Sequence, residues 1–335
     1  MKIYVYNKLP FETQALNMLA NSTQDSITVS EDCLTLETLD RAKGFDGVSI
    51  VSYSKITSAE LDKMKELGIL YLSTRTIGFD HIDVQYAQKI GIHVFNAYYQ
   101  PYNVADFAVM QMMNLMRKTK ISICRALVND FSLDGMQGRE MRSMTIGVIG
   151  TGKIGSTVIQ NLSGFGCKIL AYDLYQNAEV AQKASYVDLE TLYKESDIIT
   201  LHCPLTDKNY HMINAESIGK MKDGVLIINT ARGQLIDTNA LITALETGKV
   251  GGAALDTIEE EDGIMHVHVG TRILDEHKRN VLYIKQFPNV IYTQHYGFFT
   301  QEATESMTRS GVTSLQKAFT GEKLRNEITH YELIS

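Results

Sequence analysis

The stretch Thr145-Ile146-Gly147-Val148-Ile149-Gly150-Thr151-Gly152-Lys153-Ile154-Gly155 joins a buried-strand pattern to three spaced glycines, and the helical pattern Lys153–Leu162 overlaps its end. In such a unit the first glycine makes a tight turn, the second lets the backbone approach a pyrophosphate, and the third allows helix and strand to pack closely. The helix N-terminus then offers an anion site. The stretch predicts a dinucleotide-binding βαβ unit; the alternative is a glycine turn that binds no ligand.

An acidic residue follows the next predicted strand, Cys167–Tyr172. Asp173 stands about 20 residues beyond the glycines, where such units carry the acid that binds the ribose 2′-hydroxyl. A carboxylate there repels a 2′-phosphate, and no arginine follows in residues 174–176. The pattern therefore predicts NAD rather than NADP. The predicted cofactor-binding residues of this unit are Gly150, Thr151, Gly152, Lys153, Ile154, Gly155 and Asp173.

Strand-like apolar runs continue from this unit in both directions, with helical patterns between them. They are residues 168–172, 197–201, 225–229, 251–255 and 289–293 on one side, and residues 3–6, 47–51, 70–73 and 93–96 on the other. Strands that alternate with helices predict parallel sheets, and runs that are nearly all apolar predict helices on both faces. We therefore expect an α/β protein with two doubly wound parallel-sheet domains.

The boundary between the two series is marked by Pro101 and by the apolar helical pattern Val104–Met116, which is predicted to be a core or interface helix. Residues 300–335 resume a helical pattern after the last strand and are expected to return to the first domain. The predicted domains are residues 1–100 with 299–335, and residues 101–298.

Composition excludes several classes of function. The formal net charge is −7 with both signs scattered, so no basic patch predicts a nucleic-acid partner. No apolar run approaches the roughly 20 residues of a membrane helix, and the N-terminus does not resemble a signal peptide. The four cysteines, Cys33, Cys124, Cys167 and Cys203, lack metal or redox spacing and are interpreted as small buried residues. A cytoplasmic protein with a small-molecule partner is expected.

Polar residues directly follow several strands of the second series, where ligands of α/β sheets bind. They are His202-Cys203-Pro204, Thr230-Ala231-Arg232-Gly233, Asp256 and His295. Hydride transfer to a 2-keto acid needs a cation for the carboxylate, a proton donor, and a carboxylate that supports the donor's charge. Arg232 fits the first role, His295 the second, and one of Glu259, Glu260 or Glu261 the third. The alternatives are a surface arginine, a structural histidine and a solvated acidic loop.

Other histidines compete for the proton-donor role. His202 also ends a strand, but its neighbours Cys203 and Pro204 favour a position beside the nicotinamide. His266 and His268 alternate as on a strand and suggest a metal pair, yet no third ligand stands at a diagnostic spacing. No metal is therefore predicted.

Five motifs resemble the D-isomer-specific 2-hydroxyacid dehydrogenases, in particular the D-lactate and D-2-hydroxyisocaproate dehydrogenase branch. They are residues 73–83, 147–155, 228–233, 252–256 and 288–295, and the resemblance runs from about residue 44 to residue 325. It implies a Rossmann NAD domain, a flavodoxin-like discontinuous substrate domain, a homodimer and D stereochemistry.

The resemblance also implies residue roles. Arg232 would bind the substrate carboxylate, His295 would be the acid/base, and Glu261 would be its partner. Further cofactor-binding residues would be Cys203, Pro204, Thr230, Ala231, Arg232, Asp256 and His295. Substrate-binding residues would be Ile77, Gly78, Tyr99, Arg232, His295, Tyr296 and Phe298.

Departures from the family pattern touch the substrate pocket. Tyr296 follows His295 where a small residue is common, Gln294 replaces a frequent proline, and Gln100 stands where serine is usual. The leading expectation is D-lactate dehydrogenase. The alternatives are an enzyme for bulkier 2-keto acids, such as 2-ketoisocaproate or phenylpyruvate, and an NAD-sensing binding protein.

Overall fold

The structure, a computed structural model, describes residues 1–22, 25–261, 263–266, 268–270 and 278–328. The chain forms two compact units. One comprises Met1–Gln100 together with the described residues from Phe299 onwards, and the other comprises Pro101–Phe298. Residues 329–335, the end of the predicted first domain, lie outside the described residues.

The first unit contains a five-stranded parallel sheet with the strand order β2-β1-β3-β4-β5. Its strands are β1 (Lys2–Val5), β2 (Ser26–Val29), β3 (Gly47–Ile50), β4 (Tyr71–Thr74) and β5 (His93–Phe95), and the intervening helices are α1 (Thr13–Ser22), α2 (Ser58–Glu66) and α3 (Val84–Ile90). Strand β2 lies at the sheet edge and its residues are mostly exposed, so it has no apolar run that sequence patterning could detect.

The second unit is a seven-stranded parallel sheet with the order β12-β11-β10-β9-β6-β7-β8. Its strands are β6 (Thr145–Ile149), β7 (Lys168–Tyr172), β8 (Ser185–Tyr186), β9 (Ile198–Leu201), β10 (Val225–Asn229), β11 (Val250–Leu255) and β12 (Val290–Tyr292). Its helices are α4 (Tyr102–Met116), α5 (Thr119–Leu127), α6 (Lys153–Ser163), α7 (Ala178–Ala181), α8 (Leu189–Glu195), α9 (Ala215–Lys220), α10 (Thr238–Glu246) and α11 (Arg279–Ile284). The strand order reverses between β6 and β9, which is where doubly wound sheets bind their ligands.

The core of the second unit covers both faces of its sheet. Helix α4 packs beside α6 with Ala105, Ala108 and Met112 fully buried, as predicted for a core helix. Helix α5, which sequence patterning missed, buries none of its residues. The interpretation of the cysteines as buried was wrong. Cys124 is exposed because it lies on α5, which buries none of its residues, and the other three cysteines are half-buried.

Helix α12 (Gln301–Phe319) completes the first unit. It packs against β4 around a buried ion pair, in which the Arg75 guanidinium donates to the Glu12 carboxylate at 2.6 Å. Thr308 of α12 donates to the same carboxylate at 3.3 Å. At Gly311 any Cβ would lie 2.6 Å from Arg75 Cγ, so only glycine lets the helix approach this closely.

Candidate active site

The glycine loop after β6 has the geometry of a phosphate-binding turn. Gly150 has a φ of 92°, a left-handed conformation that disfavours other residues. A Cβ at Gly150 would lie 2.5 Å from the backbone nitrogen of Cys203, and a Cβ at Gly155 would overlap the Gly150 carbonyl. The loop therefore lies between β6 and the residues after β9, and α6 begins directly behind it at Lys153.

The predicted ribose-binding acid lies beside this loop. Asp173, at the end of β7, accepts hydrogen bonds from the Thr151 backbone nitrogen at 2.5 Å and from the Thr151 hydroxyl at 3.1 Å. Its other oxygen accepts from the Tyr175 backbone nitrogen at 3.0 Å. These contacts place a carboxylate next to the glycine turn, as NAD recognition requires.

The loop after β10 carries Arg232 and is fixed by the strand-end residue Asn229. The Asn229 side chain accepts from the Ala231 backbone nitrogen at 3.0 Å and donates to the Arg232 carbonyl at 2.8 Å. Gly233 packs so tightly on the backbone of Ile258 and Glu259 that a side chain there would overlap them. The Arg232 loop is thereby held against the acidic loop after β11. Sequence reasoning missed Asn229, although asparagine at a strand end is a known turn signal.

Glu261 and His295 form a hydrogen-bonded pair. The Glu261 carboxylate accepts from His295 Nδ1 at 2.7 Å, and its second oxygen accepts from the Ile258 backbone nitrogen at 3.1 Å. Because a carboxylate only accepts, Nδ1 carries the hydrogen and Nε2 is left to act on a ligand. Burial works to lower the pKa of His295, but the hydrogen bond and charge of Glu261 outweigh it, so this pKa lies above its ordinary value.

Arg232 is an electrostatic neighbour of His295. Its positive charge opposes protonation of the imidazole and lowers the His295 pKa, although less strongly than Glu261 raises it. The three residues predicted to be catalytic therefore come together at the strand ends of the second unit.

Asp256 organises the segment that carries His295. Its carboxylate accepts from the Thr293 hydroxyl at 2.6 Å and from the backbone nitrogens of Tyr296 and Gly297 at 3.1 and 2.8 Å. Asp256 is 3% exposed, so its carboxylate is buried against the loop that it binds. Sequence reasoning placed it near the nicotinamide and did not detect this role or that of Thr293.

His202 differs from His295 in its electrostatics. It lies beside the glycine loop, and Thr200 is its hydrogen-bond partner at 2.8 Å. Burial lowers the pKa of His202 to about 3, so the imidazole is neutral near pH 7. A neutral histidine is a poor proton donor, which favours His295 over His202 in that role.

The remaining cofactor candidates lie along the same edge. The backbone nitrogen of Cys203 lies against Gly150, and the Pro204 carbonyl accepts from the Asn209 amide at 2.7 Å. The Thr230 hydroxyl is buried and has no hydrogen-bond partner within the described residues. Such a group fits a bound cofactor that supplies the missing partner. The glycine turn, Asp173 and Thr230 together fit NAD.

Three substrate candidates, Ile77, Gly78 and Tyr99, belong to the first unit. Residues Ile77 and Gly78 follow β4, and their carbonyls accept from the Asn96 amide at 2.9 Å and the Thr76 hydroxyl at 2.7 Å, respectively. Tyr99 is half-buried near the end of that unit. Tyr296 and Phe298, in contrast, follow His295 in the second unit, and Tyr296 packs edge-on against Phe107 with ring centroids 5.1 Å apart.

Within the described part of the chain, no group of three or more His, Cys, Asp or Glu residues could hold a metal ion. In the same residues no helix is both long and apolar enough to cross a membrane.

Comparison with known proteins gives the class that this site defines. Residues 109–297 match the family described as "D-isomer specific 2-hydroxyacid dehydrogenase, NAD binding domain". Across 319 residues the chain is 43% identical to an aromatic 2-oxoacid reductase of Clostridium sporogenes, covering 95% of this chain and 96% of the relative.

Solved structures agree with this match. The structure of D-2-hydroxyisocaproate dehydrogenase superposes with a TM-score of 0.90 at 32% identity, covering 98% of this chain and 100% of that chain. The structure of D-lactate dehydrogenase with NAD⁺ from Lactobacillus jensenii superposes with a TM-score of 0.85 at 30% identity, with the same coverage.

The chain belongs to the D-isomer-specific 2-hydroxyacid dehydrogenases. It is an NAD-dependent oxidoreductase that acts on the CH–OH group of D-2-hydroxy acids, and its substrates are small hydroxy and keto acids. Family membership confirms the predicted fold class and the predicted cofactor. Because the relatives are dehydrogenases, an enzyme is favoured over the alternative of an NAD-sensing binding protein.

Proposed function

We propose that Arg232, Glu261 and His295 carry the reaction, with the Glu261–His295 hydrogen bond as the observation that supports it. NADH, when bound at the glycine loop, supplies the hydride. The Arg232 guanidinium holds the substrate carboxylate through its planar fork, and Lys could not reproduce that geometry. His295 Nε2 gives its proton to the keto oxygen.

The raised pKa of His295 suits this role. Glu261 keeps a larger fraction of the imidazole protonated near neutral pH than an isolated histidine would have. In the reverse direction the same nitrogen accepts the hydroxyl proton, and the imidazolium that forms is stabilised by Glu261. The Ile77 and Gly78 amides and Tyr99 are proposed to complete the substrate site.

Aromatic side chains beside His295 support a bulky apolar substrate as the preferred one. Tyr296 and Phe298 lie on the same loop as His295, and the rings of Phe298 and His266 lie 6.3 Å apart. Such rings offer apolar contact area to an aromatic or branched side chain. The similarity to the Clostridium sporogenes aromatic 2-oxoacid reductase supports the same choice.

Pyruvate is the second candidate substrate, and D-lactate dehydrogenase remains the prediction made from the sequence. The similarity to the Lactobacillus jensenii D-lactate dehydrogenase supports it. In that case Tyr296 and Phe298 would narrow the site instead of cradling a large side chain.

A substrate panel separates the two. Loss of NADH absorbance is followed with pyruvate, 2-ketobutyrate, 2-ketoisocaproate and phenylpyruvate. A higher kcat/KM for phenylpyruvate and 2-ketoisocaproate supports the bulky-substrate proposal, and a higher value for pyruvate replaces it with D-lactate dehydrogenase. Turnover of none of the four would reject both.

We also propose that the chain forms a homodimer through α5 and the residues that follow it. Leu127, Val128, Phe131 and Leu133 are between 73% and 84% exposed, a density of large apolar side chains that a monomer rarely presents to water. Light scattering after size exclusion tests this. The wild type should have the mass of two chains, and Leu127→Lys with Leu133→Lys should have the mass of one.

A further inference from the structure

His266 contacts the backbone of the proposed proton donor. The residue lies on the loop after β11, directly beyond a turn in which the backbone nitrogens of Ile264 and Met265 donate to the Glu261 carbonyl at 3.1 and 3.2 Å. Its Nε2 lies 3.0 Å from the His295 carbonyl oxygen. Since a carbonyl only accepts, His266 Nε2 carries the hydrogen and donates it.

The backbone of His295 needs such support. His295 has a φ of 53°, in the left-handed region that side chains with a Cβ rarely occupy. A residue persists there only when its surroundings hold it. Thr293, two residues before His295, and Tyr296, directly after it, are both bonded to Asp256, and the His295 ring is bonded to Glu261. His266 is the contact made to the carbonyl of His295 itself.

We propose that His266 is a positioning residue for His295, on the basis of the proposed catalytic role of His295. One loop holds His295 at two points: Glu261 binds the ring and His266 binds the carbonyl. The second contact sets the peptide plane from which the His295 side chain extends, and hence where Nε2 meets the keto oxygen. General acid catalysis depends steeply on that distance and angle.

The hydrogen bond of His266 can be separated from the packing of its ring. The ring also lies 6.3 Å from the rings of both Phe298 and His295, so its removal would change three contacts at once. His266→Phe keeps an aromatic ring and removes the donor. His266→Gln removes the ring and keeps an N–H at nearly the reach of Nε2.

The experiment measures kcat and KM for the best 2-oxo acid of the substrate panel, with the KM for NADH and the melting temperature in parallel. We expect His266→Phe to lower kcat about tenfold, because a misplaced His295 would raise the activation free energy by about the worth of one hydrogen bond. The KM for NADH and the melting temperature should stay at wild-type values because His266 is exposed. His266→Gln should recover most of kcat.

His268→Phe is the matched control, since His268 is exposed on the same loop and should keep wild-type kinetics. Wild-type kcat in His266→Phe, or an equal loss in His266→Gln, would overturn the inference. His295→Ala distinguishes this failure from that of the proposed function. If His295→Ala is inactive while His266→Phe is normal, only the positioning role is wrong. If His295→Ala retains kcat, the role assigned to His295 is wrong.

Discussion

Glu261 and His295, 34 positions apart in the chain, share a 2.7 Å hydrogen bond between Oε1 and Nδ1. The pair joins the loop after β11 to the loop after β12, whose strands are neighbours in the parallel sheet. It determines which imidazole nitrogen is left to act on a ligand, and it sets the sign of the pKa shift of His295.

Glu261→Gln should move the pH profile of keto-acid reduction. In the proposed role of His295, reduction needs its protonated form, so kcat/KM should be high below the His295 pKa and should fall as pH rises through it. Gln removes the negative charge, and burial, the largest influence, then lowers this pKa against the weaker opposing effect of Asp256. The falling limb should therefore move to lower pH by roughly 1–3 units. Measurement of kcat/KM across the pH range tests this, and an unmoved limb would contradict the assigned role of Glu261.

Arg232→Lys should impair substrate binding more than any other step. Lys keeps the charge but replaces a planar fork with a point charge, so one of two charge-assisted hydrogen bonds is lost. The KM for the 2-oxo acid should rise roughly 10- to 100-fold. Direct titration of NADH by its fluorescence should give the wild-type affinity. A normal KM for the 2-oxo acid would mean that another group holds the carboxylate.

Asp173→Asn should weaken the preference for NADH over NADPH. The amide oxygen can still accept from the Thr151 backbone nitrogen, whereas the bond to the Tyr175 backbone nitrogen is lost together with the charge that repels a 2′-phosphate. The ratio of kcat/KM values for the two cofactors should fall at least about tenfold. Glu179→Gln, an exposed acid at the start of α7, should leave the ratio unchanged. Equal ratios in the two variants would reject Asp173 as the selecting residue.

Arg75 and Glu12 should be strongly coupled in stability. Both side chains are buried, at 0% and 2% exposure, so removal of either one leaves an unpaired buried charge. Arg75→Met and Glu12→Leu should each reduce the free energy of unfolding by about 3–5 kcal/mol. The double variant should lose much less than the sum. Urea denaturation of all four proteins measures the coupling, and additive losses would show that the pair does not act as a unit.

The sequence predicted those parts of the fold whose conformation depends on neighbouring residues. The turn at Gly150 requires a positive φ, and Gly155 requires the absence of a Cβ, so their identities at this spacing predicted the βαβ unit. The buried strands were predicted because each is a continuous apolar run. Strand β2 and helix α5 were missed because neither buries an apolar face.

The acidic run after β11 shows what the tertiary structure decides physically. Spacing could not choose among Glu259, Glu260 and Glu261, and only the family resemblance implied Glu261. In the fold, Glu259 bonds His211 at 2.5 Å and the Thr238 backbone nitrogen at 2.8 Å, whereas Glu261 bonds His295. Glu260, with a φ of 60°, turns the backbone between them. The chain alone determined that a carboxylate would follow β11. Which one faces His295 depends on a left-handed turn and on partners far away in sequence, because side-chain direction is set by the backbone that tertiary packing selects.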